Sequence, residues 1–193
     1  RTLVINPEES DYSAVVAQVV QFGPDIVYYG GYAAQAGPLA KQLDEGGVDA
    51  LFLSDDGAKD TSFGELAGGA ATGAQVTCPC TDPLQQEGAS EFVDGMREEF
   101  GEDAPGTFAA DMYDVTVLVI DALRELDGSE SVDEVRQHVI DFFDAADGIP
   151  GVAKSYAWDD TGEFQGGPED IWLYEWDDDE GNFVSLGPAS DFI

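Results

Sequence analysis

Asp25-Ile26-Val27-Tyr28-Tyr29-Gly30-Gly31-Tyr32 is followed by a helical run and then by Ala50-Leu51-Phe52-Leu53-Ser54-Asp55-Asp56-Gly57. Ile26 to Tyr29 is a short apolar and aromatic run of the kind a buried strand requires. Gly30 and Gly31 end it and let the backbone turn. In the next segment, Ala33 to Leu43, residues Ala36, Leu39, Ala40 and Leu43 share one helical face, and Gly46-Gly47 stops the helix. Leu51-Phe52-Leu53 then reads as a second buried strand. Strand, helix, strand at this spacing predicts a parallel βαβ unit with a right-handed crossover. Ligands of open parallel sheets bind beyond the carboxyl ends of the strands. Tyr32 and the Asp55/Asp56 pair both fall there, on neighbouring strands. They are the candidate site.

Working outward, Thr2 to Ile5 reads as a strand, and Ser10 or Asp11 as the cap of a helix carrying Val15, Val16, Val19, Val20 and Phe22. Downstream, Thr61 to Ala67 predicts a short helix with Phe63 and Leu66 inward, and Ala74 to Cys78 a strand. At Cys78-Pro79-Cys80-Thr81-Asp82-Pro83 the composition turns polar and proline-rich. Three helices follow. Ala89–Phe100 carries Phe92, Val93, Met96 and Phe100. Phe108–Leu126 carries Tyr113, Val117, Ile120, Leu123 and Leu126 at helical spacing. Val132–Phe143 has Ser131 as N-cap and Glu134 three residues on. Ala153–Trp158 and Phe164 flank the turn Asp159-Asp160-Thr161-Gly162, and Ile171–Trp176 and Phe183–Leu186 flank a second, acidic turn.

Composition narrows the function classes. The 193 residues are 43% hydrophobic and 11% aromatic, so the chain is globular, but 41 acidic residues face only 7 basic ones, a formal net charge of −34. Such a surface repels nucleic acid and anionic membrane. The regular apolar runs argue against acidic disorder; adaptation to high salt fits the charge better. Cys78 and Cys80 are too tightly spaced for the usual zinc pairing, and no second Cys/His pair exists to complete a tetrahedron. They read as a local disulfide or as two free small residues, the second reading preferred. His138 reads as a surface or boundary residue. The acidic turn Asp177–Asn182 lacks the register of a calcium loop and reads as solvated. No run of 18 apolar residues occurs. There is no Gly-x-Ser-x-Gly, no phosphate loop before a helix and no His/Cys or His/Asp pair at useful spacing, so no enzyme activity is expected.

In order along nearly the whole chain, Val27-Tyr-Tyr-Gly-Gly-Tyr32, Leu53-Ser-Asp-Asp-Gly57, Ala67-Gly-Gly, Phe108-Ala-Ala-Asp-Met-Tyr-Asp114, Tyr156-Ala-Trp-Asp-Asp-Thr-Gly162 and Trp172-Leu-Tyr-Glu-Trp176 resemble the C-terminal portion of the branched-chain-amino-acid-type solute-binding proteins of ABC importers. The resemblance implies the α/β periplasmic binding protein type I fold, doubly wound in two Rossmann-like lobes. Here it would be an incomplete fragment, with residues 1–77 in the second lobe, 78–168 in the first and 169–193 returning to the second. It implies a monomeric, extracytoplasmic protein, in the periplasm or at the cell surface, lipid-anchored through an N-terminal segment missing from this sequence. It would have no cofactor and would serve a membrane permease. Sensors reuse the fold, so the ligand-binding domain of an amino-acid or amide receptor is the alternative.

An amino-acid zwitterion needs a carboxylate for its ammonium, N–H or hydroxyl donors for its carboxylate, and an apolar wall. By resemblance, Asp56 takes the ammonium, where many members carry the longer Glu. Tyr32 matches a pocket tyrosine whose ring can cover an ammonium or an aliphatic chain. Phe108 matches a first-lobe aromatic that touches the ligand side chain. The bland readings are that Asp55 caps the following loop, that Tyr32 is a core or interface tyrosine, and that Phe108 opens a core helix. Tyr113 reads as core. The family's carboxylate-binding hydroxyls fall in the missing segment.

The charge generates a prediction. At ~1 M salt the Debye length is ~3 Å, and repulsion between surface carboxylates is largely screened. The melting temperature should rise between ~0.1 and ~2 M KCl. A flat or falling curve in a salt-series calorimetric scan counts against salt adaptation.

Overall fold

The predicted βαβ unit forms where its punctuation places it. The computed structural model describes residues 1–86, 88–101 and 106–192. Helix α1 (Ser13–Phe22) precedes β1 (Ile26–Tyr29), α2 (Ala33–Glu45) and β2 (Leu51–Ser54), and β1 and β2 pair in parallel from Ile26–Leu51 to Tyr29–Ser54. A short helix α3 (Ser62–Ala67) leads to β3 (Gln75–Cys78), parallel to β2. Between β1 and β2, α2 buries Ala33, Ala36, Leu39, Ala40 and Leu43, the stripe its spacing predicts. On α2, Gln42 accepts the Tyr12 N–H at 2.7 Å and donates to the Ser10 carbonyl at 2.8 Å, fixing the start of α1. Asp11 does not cap α1 at its N-cap, which is Tyr12. It accepts the Ser13 N–H one step earlier, at 2.9 Å.

Two compact units make up the chain: Arg1–Pro79 with Ile171–Ile193, and Cys80–Asp170. The second unit holds α4 (Ser90–Phe100), α5 (Ala109–Arg124), α6 (Val132–Asp144) and a minimal antiparallel pair, β4 (Ile149–Pro150) with β5 (Ser155–Tyr156). Phe92 and Val93 of α4 pack with Ala110 of α5 and with Ala153. Ser131 and Glu134 make the reciprocal capping box at the start of α6 that their spacing predicts.

The chain then returns to the first unit through β6 (Trp172–Asp177) and β7 (Asn182–Pro188). These add to β3 as antiparallel strands, giving a five-stranded sheet in the order β1-β2-β3-β6-β7. On one face, Phe63 of α3 is fully buried among the rings of Phe52, Trp176 and Phe183, with centroids 5.9, 6.0 and 5.3 Å away. Stacked and tilted packing of this kind forms the aromatic core under the acidic β6–β7 turn.

Four expectations need correction. Residues 2–5 form no strand: no ladder includes them, and Val4 is 85% exposed. In consequence β1 is an edge strand, and Ile26 and Tyr28 are 54% and 61% exposed, not buried. Cys78 and Cys80 are not free; they are joined in a disulfide. Residues two apart share a face of a strand, and here β3 ends at Cys78, where the chain bends at Pro79. Lastly, the buried face of α5 is Ala110, Asp114, Leu118 and Ala122, while Tyr113, Ile120 and Leu123 are exposed.

The α5 correction has a polar cause. The Asp114 carboxylate is buried, and it accepts the N–H groups of Val152 and Ala153 at 2.7 and 2.8 Å and the Tyr156 hydroxyl at 3.1 Å. Those bonds turn α5 so that Asp114 points inward, taking the apolar stripe out with it. Burial, reinforced by the neighbouring Asp114 and Asp111 charges, pushes the Tyr156 phenol far above its ordinary value, so it stays a donor at any working pH. One helical turn earlier, Asp111 pairs with Lys154 at 2.8 Å, both largely buried.

Truncating Asp114 leaves two buried N–H groups and a hydroxyl without an acceptor, each worth about 1–3 kcal/mol. Asp114→Ala should therefore destabilise the chain by about 3 kcal/mol or more, Asp114→Asn by less, and Tyr156→Phe by about 1 kcal/mol. Urea titrations in molar KCl measure this as a fall in midpoint at constant slope.

Candidate functional site

The parallel strands β1, β2 and β3 all end on the same edge of the sheet, and polar side chains hold those ends in register. Ser54, fully buried, donates its hydroxyl to the Tyr29 carbonyl at 2.7 Å. Thr77 donates to the Ser54 carbonyl at 3.4 Å. Three strands are thus joined at their carboxyl ends by side-chain hydroxyls as well as by the ladder. Neither residue was singled out from sequence. The signal was present in Ser54, a polar residue closing an apolar strand.

Beyond these ends lie two loops. The first is Gly30-Gly31-Tyr32, entering α2, with Tyr32 at the N-cap and its ring 73% exposed. The second is Asp55 followed by the 3-10 turn Asp56–Ala58. The structure brings Tyr32, Asp55 and Asp56 together at this edge of the first unit. It gives the two carboxylates different work. Asp55 accepts the Gly31 N–H at 3.2 Å through Oδ1, and its side chain makes no cap bond to the turn that follows. The expected loop-capping alternative for Asp55 is corrected: its carboxylate reaches back across the sheet edge to the other loop. Among the described residues, no side-chain hydrogen bond or ion pair engages the half-buried Asp56 carboxylate. Behind the turn, Lys59 lies 4.3 Å over the ring of buried Tyr174 on β6, tying the turn to the sheet.

Phe108 belongs to the other unit. It is the N-cap residue of α5 with φ 62°, and it is the one described residue other than glycine with positive φ. For a bulky aromatic that backbone is strained, and such strain concentrates at functional positions. His138 is a boundary residue, as its position suggests: Nε2 lies 2.9 Å from the Ala122 carbonyl and 3.4 Å from Glu125. Among the described residues no His/Cys/Asp/Glu group could hold a metal ion, and no helix is long and apolar enough to cross a membrane.

The chain has the α/β fold of the type I periplasmic binding proteins. All of the chain aligns with 53% of the leucine binding protein LivK of Thermotoga maritima, with a TM-score of 0.82 at 20% identity. The branched-chain amino acid substrate binding protein LivJ of Streptococcus pneumoniae, solved with isoleucine, gives a TM-score of 0.69 over 92% of this chain and 49% of its own, also at 20% identity. The chain belongs to the periplasmic binding protein family, whose model matches residues 2–182. The leucine-specific-binding protein of Salmonella typhimurium is 25% identical over 181 residues, 94% of this chain and 46% of that protein. Leu/Ile/Val-binding protein homolog 1 of Brucella abortus is 33% identical over 95 residues, 49% of this chain and 25% of that protein. The chain spans about half the length of the Salmonella and Thermotoga proteins.

Proposed function

We propose that the complete protein is the extracytoplasmic solute-binding component of an ABC importer and takes an amino acid of the branched-chain type, or a similar small zwitterion. Family membership supports the class, and the names of the Salmonella and Brucella relatives support the solute. The observation that carries the assignment is the Asp56 carboxylate, which stands at the carboxyl edge of the sheet, in the turn whose Gly57 faces the exposed Tyr32 ring, with no partner of its own among the described residues. A carboxylate so placed suits an ammonium, and the neighbouring ring suits either the ammonium or an aliphatic side chain. Asp56 is one methylene shorter than Glu and holds the solute's charge closer to the strand ends.

In this reading residues 1–77 and 169–193 form one lobe and residues 78–168 belong to the other, and closure about the crossovers takes the ligand's charges out of water. Phe108, strained at the head of α5, meets the solute side chain from its own lobe. The closed form is then read by a membrane permease. Binding without chemistry fits the family and the site, which pairs no nucleophile with a base.

The test is calorimetric titration of the complete gene product with leucine, isoleucine and valine. Truncating one partner of a buried charge pair costs about 2–5 kcal/mol, a factor of roughly 30 to several thousand in affinity. Asp56→Asn should therefore abolish micromolar binding with little change in melting temperature. Asp55→Asn, which keeps an oxygen for the Gly31 N–H, should lose far less. Equal affinities for Asp56→Asn and wild type remove Asp56 from the site.

A further inference from the structure

Gly57 and Asp55 face the Tyr32 loop from the same turn. A Cβ on Gly57 would stand 2.6 Å from the Gly31 carbonyl oxygen, 3.2 Å from its carbon and 3.3 Å from Cδ1 of the Tyr32 ring. The first of these lies inside any normal van der Waals separation, and the atom met is backbone, which cannot swing aside. On the other side of Gly31, Asp55 Oδ1 accepts the Gly31 N–H at 3.2 Å. The two peptides flanking the Gly31 Cα are thus held, the first by its N–H through Asp55 and the second with its C=O seated against a residue with no side chain. Gly31 itself has φ 156°, a backbone that L side chains rarely adopt, so this contact depends on glycine at both positions.

We propose that Asp55 and Gly57 are positioning residues: together they latch the Gly30-Gly31-Tyr32 loop onto the Asp56 turn and set the gap between the Tyr32 ring and that turn. This deepens the proposed function and rests on it for the identity of what enters that gap. The latch explains why two adjacent carboxylates differ. Asp55 is consumed within the fold, and Asp56 is left for the solute. It also makes Gly57 a determinant of solute size, because a side chain there displaces the Gly31–Tyr32 peptide outward and widens the gap. The latched half-site also stands wholly within the first unit, assembled without help from Phe108.

The experiment uses the complete gene product in molar KCl, isotopically labelled, with Asp55→Ala, Asp55→Asn and Gly57→Ala variants and leucine as the probe. Losing a hydrogen bond of ordinary strength should speed exchange of the Gly31 amide about five- to tenfold in Asp55→Ala. Asp55→Asn, which retains the acceptor, should restore it. In Gly57→Ala the Gly31 amide and Tyr32 ring resonances should move while those of β3 and β6 stay in place. If wild type binds leucine, Asp55→Ala and Gly57→Ala should weaken binding, and Asp55→Asn should rescue it. Gly31 exchange that is unchanged in Asp55→Ala overturns the latch. So does leucine affinity that is unchanged once the loop has moved. A latch that responds as expected in a chain that binds no leucine supports the positioning role and counts against the proposed solute instead.

Discussion

The parallel pairing of β1 with β2 is the constraint from which the candidate site follows. A parallel pair cannot be closed by a tight turn, so the chain must cross back over the sheet, and α2 does this with a stripe of small and branched apolar residues. Once β1 and β2 run the same way, both loops that leave them emerge at one edge. Tyr32 and Asp56, 24 residues apart, become neighbours because of that direction alone. Ser54 and Thr77 then hold the strand ends level, so the two loops meet at a fixed height. Were β2 antiparallel to β1, its acidic end would lie at the far edge of the sheet, away from Tyr32.

The acidic excess enters the fold by a route that surface charge counting misses. In six loops the carboxylate of an Asp accepts the backbone N–H two residues on: Asp11 from Ser13, Asp60 from Ser62, Asp82 from Leu84, Asp127 from Ser129, Asp159 from Thr161 and Asp177 from Asp179. These local bonds satisfy turn backbone that no ladder reaches. Hydroxyl and amide donors of the same partner residue hold Asp60 and Asp127 below the usual carboxylate range, and at Asp159 the Thr161 hydroxyl and the Glu163 and Thr161 amides do so together. The few cations are used sparingly. Arg124–Asp121 and Arg136–Asp133 are exposed one-turn pairs that contribute little. Lys154 and Lys59 are placed inside, one against Asp111 and one over the Tyr174 ring, where low dielectric strengthens the interaction.

Local rules made part of this structure legible in the sequence. The capping box at Ser131 and the turn of the β6–β7 hairpin follow from residues within about ten positions of one another, the βαβ unit follows from three consecutive local patterns between Ile26 and Ser54, and each forms. What could not be read depended on partners far along the chain. The apolar stripe of α5 points outward because Asp114 is drawn in by Val152 and Ala153, some forty residues away. Periodicity alone cannot weigh a buried carboxylate against five apolar side chains, since it scores the carboxylate as surface. Thr2–Ile5 has strand composition, but a strand needs a partner ladder as well as β-branched residues. At the site, the positions were legible and the division of roles was not. Asp55 and Asp56 are chemically identical in a list of residues, and only the Gly31 N–H tells them apart.

That distinction carries a general consequence for a chain with 41 carboxylates. Acidic residues are so common here that neither adjacency nor exposure singles out one as functional. The useful question is where each carboxylate's hydrogen-bonding capacity is spent. Asp114 spends it on two amides and a phenol, Asp55 on Gly31, and the loop aspartates on their own turns. Asp56 is half-buried, so water cannot fully replace a missing partner. It sits at the edge where open parallel sheets take ligands, with no side-chain bond among the described residues to engage it. A half-buried charge left without a partner is costly to the fold unless something outside the chain supplies one. In the proposed function a ligand ammonium would supply the opposite charge and up to three donors to that carboxylate.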